Sequence, residues 1–278
     1  MRLYDAHNHL QDERFHFAAL PGRAALPRRP ISLDDLIAEA ARAGVERMVV
    51  NGSCEEDWPR VLKLAQTYPQ VLPSFGCHPW HLHERTPDWQ RILVEFLDRV
   101  SSAVGEIGLD RWKPDLRYDG QEEAFVWQLR LAAERNLPVS IHCLQAWGRL
   151  HELLRATPRP ERGFLLHSCG GPKEMVQPLA KLGAYFSVPG YLMHERKARQ
   201  REAFRCVPLD RLLIETDAPD QLLPESHIRF SLSDSAGQPI NHPANLAAIY
   251  EFMATAREMP LESFAQRIEE NFLRLFRI

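Results

Sequence analysis

Six apolar segments of this 278-residue sequence end in side chains that can bind a metal ion: His7 and His9, His78, Glu106, His142, His167 and Asp217. Ending a buried run in an imidazole or an acid is costly unless the polar group is satisfied. In His7-Asn8-His9 the two histidines stand at i and i+2, so on a strand both rings point to one face and can meet at one ion. An isolated His-x-His is ordinarily a hydrogen-bonded pair; at the end of the first of many parallel strands, metal binding becomes the stronger reading. Asp5 shares that parity and is placed to orient a ligand from behind. Glu106 lies mid-strand in Gly105-Glu106-Ile107-Gly108. A carboxylate there can bridge two cations, which would relieve its burial; the alternative is a salt-bridged interior glutamate. His142 and His167 close two further runs. Singly, each would be an ordinary core histidine, but neutral imidazole suits zinc, manganese or iron. Asp217 can bind metal and accept a proton from an activated water; otherwise it caps a helix.

Other apparent signals carry less. His81-Leu82-His83 repeats the spacing but follows Pro79 in a loop, and reads as a surface feature or substrate-side contact. Cys77 and Cys143 neighbour site histidines, so on a strand they face away. Cys169 reads as a small buried filler. Glu215 shares the parity of Asp217 and reads as a barrel-interior partner, and Asp110 as a rim residue. His16, His151, His194, His227 and His242 have no partners in sequence and read as ordinary.

The elements that must position these groups follow one rhythm. Eight apolar runs, at 2–9, 45–53, 71–78, 103–110, 138–143, 163–169, 184–189 and 211–217, alternate with helical stretches. Continuous apolar runs fit strands of a parallel sheet buried on both faces. Ser32-Leu33-Asp34-Asp35 reads as a capping box before a helix that Gly44 stops, and Ser53-Cys54-Glu55-Glu56 as a second box opening a helix through Gln66. Further helices are expected over 121–136, from Pro243 to about Arg257, and from Leu261 to about Leu275. Eight such units predict a single α/β domain over residues 1–278, a (β/α)8 TIM barrel with its site at the C-terminal ends of the strands. An open doubly wound sheet is the rival, but no GxGxxG follows a strand. Length alone would suggest two domains; barrels of about 250 residues break that rule. The segment Gln11–Pro30, with Arg14, Arg23, Arg28 and Arg29, reads as a loop insertion.

Composition sets outer limits. Lys and Arg number 34 against 37 Asp and Glu, a net charge of −3, which excludes a strongly basic protein that coats DNA. No apolar stretch is long enough for a membrane helix, and the acid and histidine near Met1 do not suit a signal peptide. Five cysteines without a CxxC read as reduced thiols, so a cytoplasmic protein is expected.

Taken together, Asp5-Ala6-His7-Asn8-His9-Leu10, Gly76-Cys77-His78-Pro79, Gly105–Asp110, Ile141-His142-Cys143, Leu166-His167-Ser168-Cys169, Glu215-Thr216-Asp217-Ala218-Pro219 and the terminal Asn271-Phe272 resemble the TatD family of metal-dependent hydrolases, in family order across nearly the whole chain. The resemblance implies a barrel with two divalent ions, zinc, manganese or magnesium. On the family pattern His7, His9, Glu106 and Asp217 hold one, Glu106, His142 and His167 hold the second, and Glu106 bridges. It further implies that His78 faces the substrate or an additional ion, and that the activity is a deoxyribonuclease, commonly 3′-to-5′ on single-stranded DNA. Asp217, His78 and Glu106 are then the expected catalytic residues.

Three departures touch the substrate side. Leu144 stands where the family often has arginine, Asp220 where it has an aromatic residue, and Ser233–Asn241 lacks arginine altogether. Arg111, Lys113 and Arg117, interleaved with Trp112 and Tyr118, are candidate replacements for gripping a single strand. The lost arginines keep a second function open, an amidohydrolase-type hydrolase of a small ester, amide or phosphoester. A non-catalytic metal-binding barrel is the third, and the intact ligand set speaks against it.

Overall fold

A computed structural model describes residues 1–15, 19, 20, 29–113, 116, 118 and 120–277. Eight strands form one parallel sheet in chain order: β1 (Leu3–Asn8), β2 (Val45–Asn51), β3 (Val71–Phe75), β4 (Ala103–Asp110), β5 (Val139–Leu144), β6 (Phe164–Leu166), β7 (Ala184–Val188) and β8 (Leu212–Ile214). β1, β3 and β4 are buried along their whole length, as the apolar runs require of strands covered on both faces. The sheet curls until β8 meets β1. There the join is made by two backbone bonds just past the strand ends, Asp217 N to His7 O (3.0 Å) and His9 N to Ala218 O (2.8 Å). The fold is therefore a (β/α)8 barrel.

Helices α1 (Leu33–Arg42), α2 (Trp58–Thr67), α3 (Trp89–Arg99), α4 (Gln121–Arg135), α5 (Trp147–Ala156), α6 (Val176–Lys181), α7 (Ala198–Arg205), α8 (Leu246–Ala256) and α9 (Leu261–Phe276) lie between and after the strands. Ser32 caps α1 through Asp35 N, as its capping box predicts. The second box does not start a helix. Residues 54–57 form a turn, α2 begins at Trp58, and Asp57 is spent on accepting from Ser53 N (2.9 Å) and Cys54 N. The 3-10 turn Pro243–Asn245 leads into α8. Asn271 of α9 donates to Leu209 O and Leu212 O, tying the last helix to β8.

The expected insertion at 11–30 is partly described. Its pieces Ala19–Leu20 and Arg29–Pro30 join Leu232–Ser233 and Pro239–Ile240 in a small antiparallel sheet, so the loops after β1 and β8 are stitched together. Arg23, Arg28 and His16 lie outside the described residues, as does Arg117 of the fourth loop. Among the described residues no helix is long and apolar enough to cross a membrane. All five cysteines are free.

Candidate metal centre

The six strand-end groups converge at one end of the barrel, on the floor of a cavity of about 790 Å³. Glu106 is the hub, and its two oxygens face different partners. Oε2 lies 3.3 Å from His7 Nε2 and 3.3 Å from His9 Nε2, and Asp217 Oδ1 lies 3.7 and 3.6 Å from the same nitrogens. Oε1 faces His78 Nε2 at 3.2 Å, His142 Nδ1 at 3.1 Å and His167 Nε2 at 2.7 Å. The groups His7–His9–Asp217 and His78–Glu106–His142 each bring three ligand atoms within 4.8 Å of one another. The smallness of Gly105 is what admits this arrangement: a Cβ there would stand 2.8 Å from Ser140 Cβ and 2.9 Å from Ser74 Oγ, at a φ of +159°.

Hydrogen bonds behind the rings decide which nitrogen faces inward. His9 Nδ1 lies 2.8 Å from Asn51 O, a group that only accepts, so in the neutral ring that nitrogen carries the proton and Nε2 holds the lone pair. His142 Nε2 lies 2.8 Å from Asp110 Oδ2, which leaves Nδ1 for the centre. His7 Nδ1 meets Ser140 Oγ at 2.8 Å. His78 is the exception. Its Nδ1 accepts from Trp80 N (3.1 Å), so in the neutral ring the proton sits on Nε2 and that edge is a donor. Burial pushes the ring down to about 4, past the upward pull of Glu106, which keeps it neutral near pH 7.

The electrostatics favour positive charge at the hub. Burial opposes ionisation of Glu106, yet the imidazoles around it, His167, His78, His7 and His142, hold it well below the usual carboxylate range. Burial lowers His9, but Glu106 and Asp217 lift it to about 10; the same two acids, with Glu215, lift His167 to about 9. Glu106 Oε1 is buried with no hydrogen bond of good geometry. The pull of these acids is met by a proton on the rings or by a cation: in their neutral forms His9 and His142 turn lone pairs toward the carboxylate, an arrangement that a cation between them satisfies. Burial pushes Asp217 up to about 7, against the pull of His167 and His9 and with Glu215 and Glu106 adding to the rise.

Several expectations need correction. Asp110 is fully buried, not at the rim. It accepts from Trp80 Nε1 (2.7 Å) and holds His142, and burial is outweighed by these partners, so it lies near 2. Asp5 does not reach the His7 ring; it accepts from Thr216 N (2.9 Å), Thr216 Oγ1 (2.5 Å), Asn8 and the His7 backbone. Ser140 holds the ring instead, a partner from β5 that no spacing in sequence reveals. Glu215 is the interior partner expected, both oxygens engaged by Ser168 and Ser187. Cys77, Cys143 and Cys169 are buried among apolar residues.

The mouth is built from loops. Arg14 forks onto Asp220 through two bonds of 2.8 Å and also binds Asp12, while Arg60 pairs with Glu13 at 3.3 Å. Leu144 and Trp112 line the same cavity. Trp112 and Tyr118 are exposed, Lys113 Nζ stands 4.8 Å over the Trp80 ring, and Arg111 faces Glu122 at 3.6 Å.

A parallel barrel whose strand ends gather imidazoles and carboxylates about a shared glutamate defines a metal-dependent hydrolase. The family described as TatD related DNase matches residues 4–277. The chain belongs to the TatD family. It is 33% identical over 251 residues to the 3′-5′ ssDNA/RNA exonuclease TatD of Escherichia fergusonii, covering 88% of this chain and 93% of that protein. It is 31% identical over 242 residues to the uncharacterized metal-dependent hydrolase YjjV of Escherichia coli K12, covering 86% and 89%. The crystal structure of that YjjV, a TatD homolog, superposes with a TM-score of 0.83 at 29% identity, over 100% of this chain and 98% of the other.

Proposed function

We propose that this hydrolase cleaves phosphodiester bonds, as a deoxyribonuclease that removes nucleotides from the 3′ end of single-stranded DNA, and that residues 1–278 act as one catalytic domain. The observation that carries the reading is the division of Glu106 between two sets of ligands, which suits two divalent ions, zinc, manganese or magnesium. His7, His9 and Asp217 would share one with Oε2; His142 and His167 would share the other with Oε1. Bound there, the ions supply Lewis acidity and lower the pKa of water from about 15.7 toward 7.

The chain's own groups do the rest. Asp217, deprotonated above about pH 7, takes the proton of the attacking water and returns it to the leaving oxygen. His78 donates from Nε2 to a phosphoryl oxygen as charge builds on it. Asp110 and Asn51 O hold the His142 and His9 rings in their tautomers. Trp112 and Tyr118 offer exposed rings on which unpaired bases can stack.

The test follows mononucleotides released from a 3′-labelled single strand with Mn²⁺ or Mg²⁺. Release should vanish with chelator, and fall at least about a thousandfold in Glu106→Gln, since one change weakens both ligand sets. A second reading, hydrolysis of a small ester, amide or phosphoester, is favoured by Leu144 and by the locking of Arg14 between Asp12 and Asp220. Metal-replete protein that leaves the strand intact while cleaving such a small substrate would replace the first reading with the second.

A further inference from the structure

The loop that carries His78 and Trp80 runs on into a second cluster that the reaction above leaves unused. Cys54 Sγ, an imidazole nitrogen of His81 and a Glu84 carboxylate oxygen lie within 4.8 Å of one another. His81 Nδ1 is 2.9 Å from Glu84 Oε2, and His83 Nε2 approaches the other oxygen at 3.4 Å. Cys54, His81 and Glu84 all line the mouth of the cavity. The His81 ring lies 6.2 Å from that of His78, centre to centre, so the cluster adjoins the Glu106 centre without sharing a residue with it.

The two loops that supply these groups are fastened to each other. His78 N donates to Ser53 O (2.8 Å), and Thr86 donates to Glu55 through both its N and Oγ1, at 2.7 Å each. Two successive turns, His81 N to His78 O (3.0 Å) and Glu84 N to His81 O (3.0 Å), set the spacing of the imidazole and the carboxylate. These contacts fix the backbone that carries the ligands, so an ion has only side-chain rotamers left to order.

The donor set differs in kind from the floor of the cavity. The Glu106 centre offers only nitrogen and oxygen, which suits manganese, magnesium or zinc alike. Thiolate, imidazole and carboxylate together select zinc over manganese and magnesium. Three protein ligands also leave the fourth tetrahedral position open.

We propose that Cys54, His81 and Glu84 form a zinc site at the mouth of the cavity, distinct from the Glu106 centre. Binding exchanges the Cys54 thiol proton, released to solvent, for a Zn–S bond, and water or a substrate oxygen takes the fourth position. With one thiolate and one carboxylate the bound zinc site is neutral overall, so it cancels the Glu84 charge at a mouth where Arg14 and Arg60 are both paired with acids. It stands independently of the substrate, because its signature is the sulfur ligand.

The test loads the full-length protein with Co²⁺ and records the near-ultraviolet thiolate-to-cobalt charge-transfer band, which the nitrogen and oxygen ligands of the floor do not give. The band should appear in the unaltered protein, be lost in Cys54→Ser and persist in Cys206→Ser. In Glu84→Gln the Co²⁺ concentration that half-saturates it should rise at least about tenfold, the least that loss of even an indirect partner produces. A parallel measurement needs no variant: Zn²⁺ should slow alkylation of Cys54 while leaving Cys206, the exposed thiol, unchanged. Absence of the band, its survival in Cys54→Ser, or equal alkylation of Cys54 with and without Zn²⁺ would overturn the site.

Discussion

The floor and the mouth of the cavity are built on opposite plans. On the floor, side chains come from strand ends, sit almost wholly out of solvent, and are aimed by contacts behind them: Asp110 for His142, Asn51 O for His9, Ser140 for His7. At the mouth, side chains come from loops, are partly exposed, and satisfy one another: Arg14 with Asp12 and Asp220, Arg60 with Glu13. The barrel thus fixes the chemistry, and the loops decide what is admitted to it.

The comparison can be broken by substitutions on either side. The largest effect is expected on the floor. Asp217→Asn should lower kcat by about 10²–10⁴-fold. In the unaltered enzyme the rate should climb with pH, because a base acts only when deprotonated. Burial raises Asp217 to about 7, and a bound cation pulls it lower, so the acid limb should lie at or below pH 7. A pH–rate profile that keeps this limb in Asp217→Asn would assign it to another group. One layer back, Asp110→Asn should weaken metal binding about 10–100-fold, with activity recovered at excess metal. Isothermal metal titration checks this, and unchanged affinity would mean that Asp110 does not aim His142. The smallest effect is expected at the mouth. Asp220→Ala removes an acid from the mouth and leaves Arg14 held by Asp12 alone, and KM for a single strand should fall by about two- to fivefold, the scale of an exposed ion pair. The gain should shrink with added salt. An unchanged KM would separate Arg14 from substrate binding.

The floor was far more legible in the sequence than the mouth. Two-residue parity brought His7 and His9 to one face, and apolar runs ending in His or acid marked where the barrel would place them. Those rules act within a strand, where geometry is regular. They fail for partners brought together by closure: Ser140 behind His7, and Asp110, which looked like a rim residue until β4 and β5 paired and buried it against His142. Loop geometry was less visible still. His81-Leu82-His83 reads as a loop surface feature or substrate-side contact, and nothing in that spacing reports that His81 bonds Glu84 and comes near Cys54 of another loop. Ser53–Glu56 has the composition of a capping box, yet Asp57 takes up the Ser53 and Cys54 amides and delays the helix to Trp58. The Arg14–Asp220 fork joins residues 206 apart in sequence, and no local pattern reports it.

The seam between β1 and β8 carries a consequence for how the protein comes to be active. Asp5 bonds Thr216, and Asp217 N bonds His7 O, across more than two hundred residues. His7 and His9 are made first during synthesis, and Asp217 close to last. Contacts of such long sequence separation form late, after most chain entropy has been lost. A chain emerging from the ribosome therefore carries His7 and His9 before the Asp217 that the proposed reaction uses as its base. The proposed hydrolysis needs the closed seam, because only closure brings Asp217 to the two histidines.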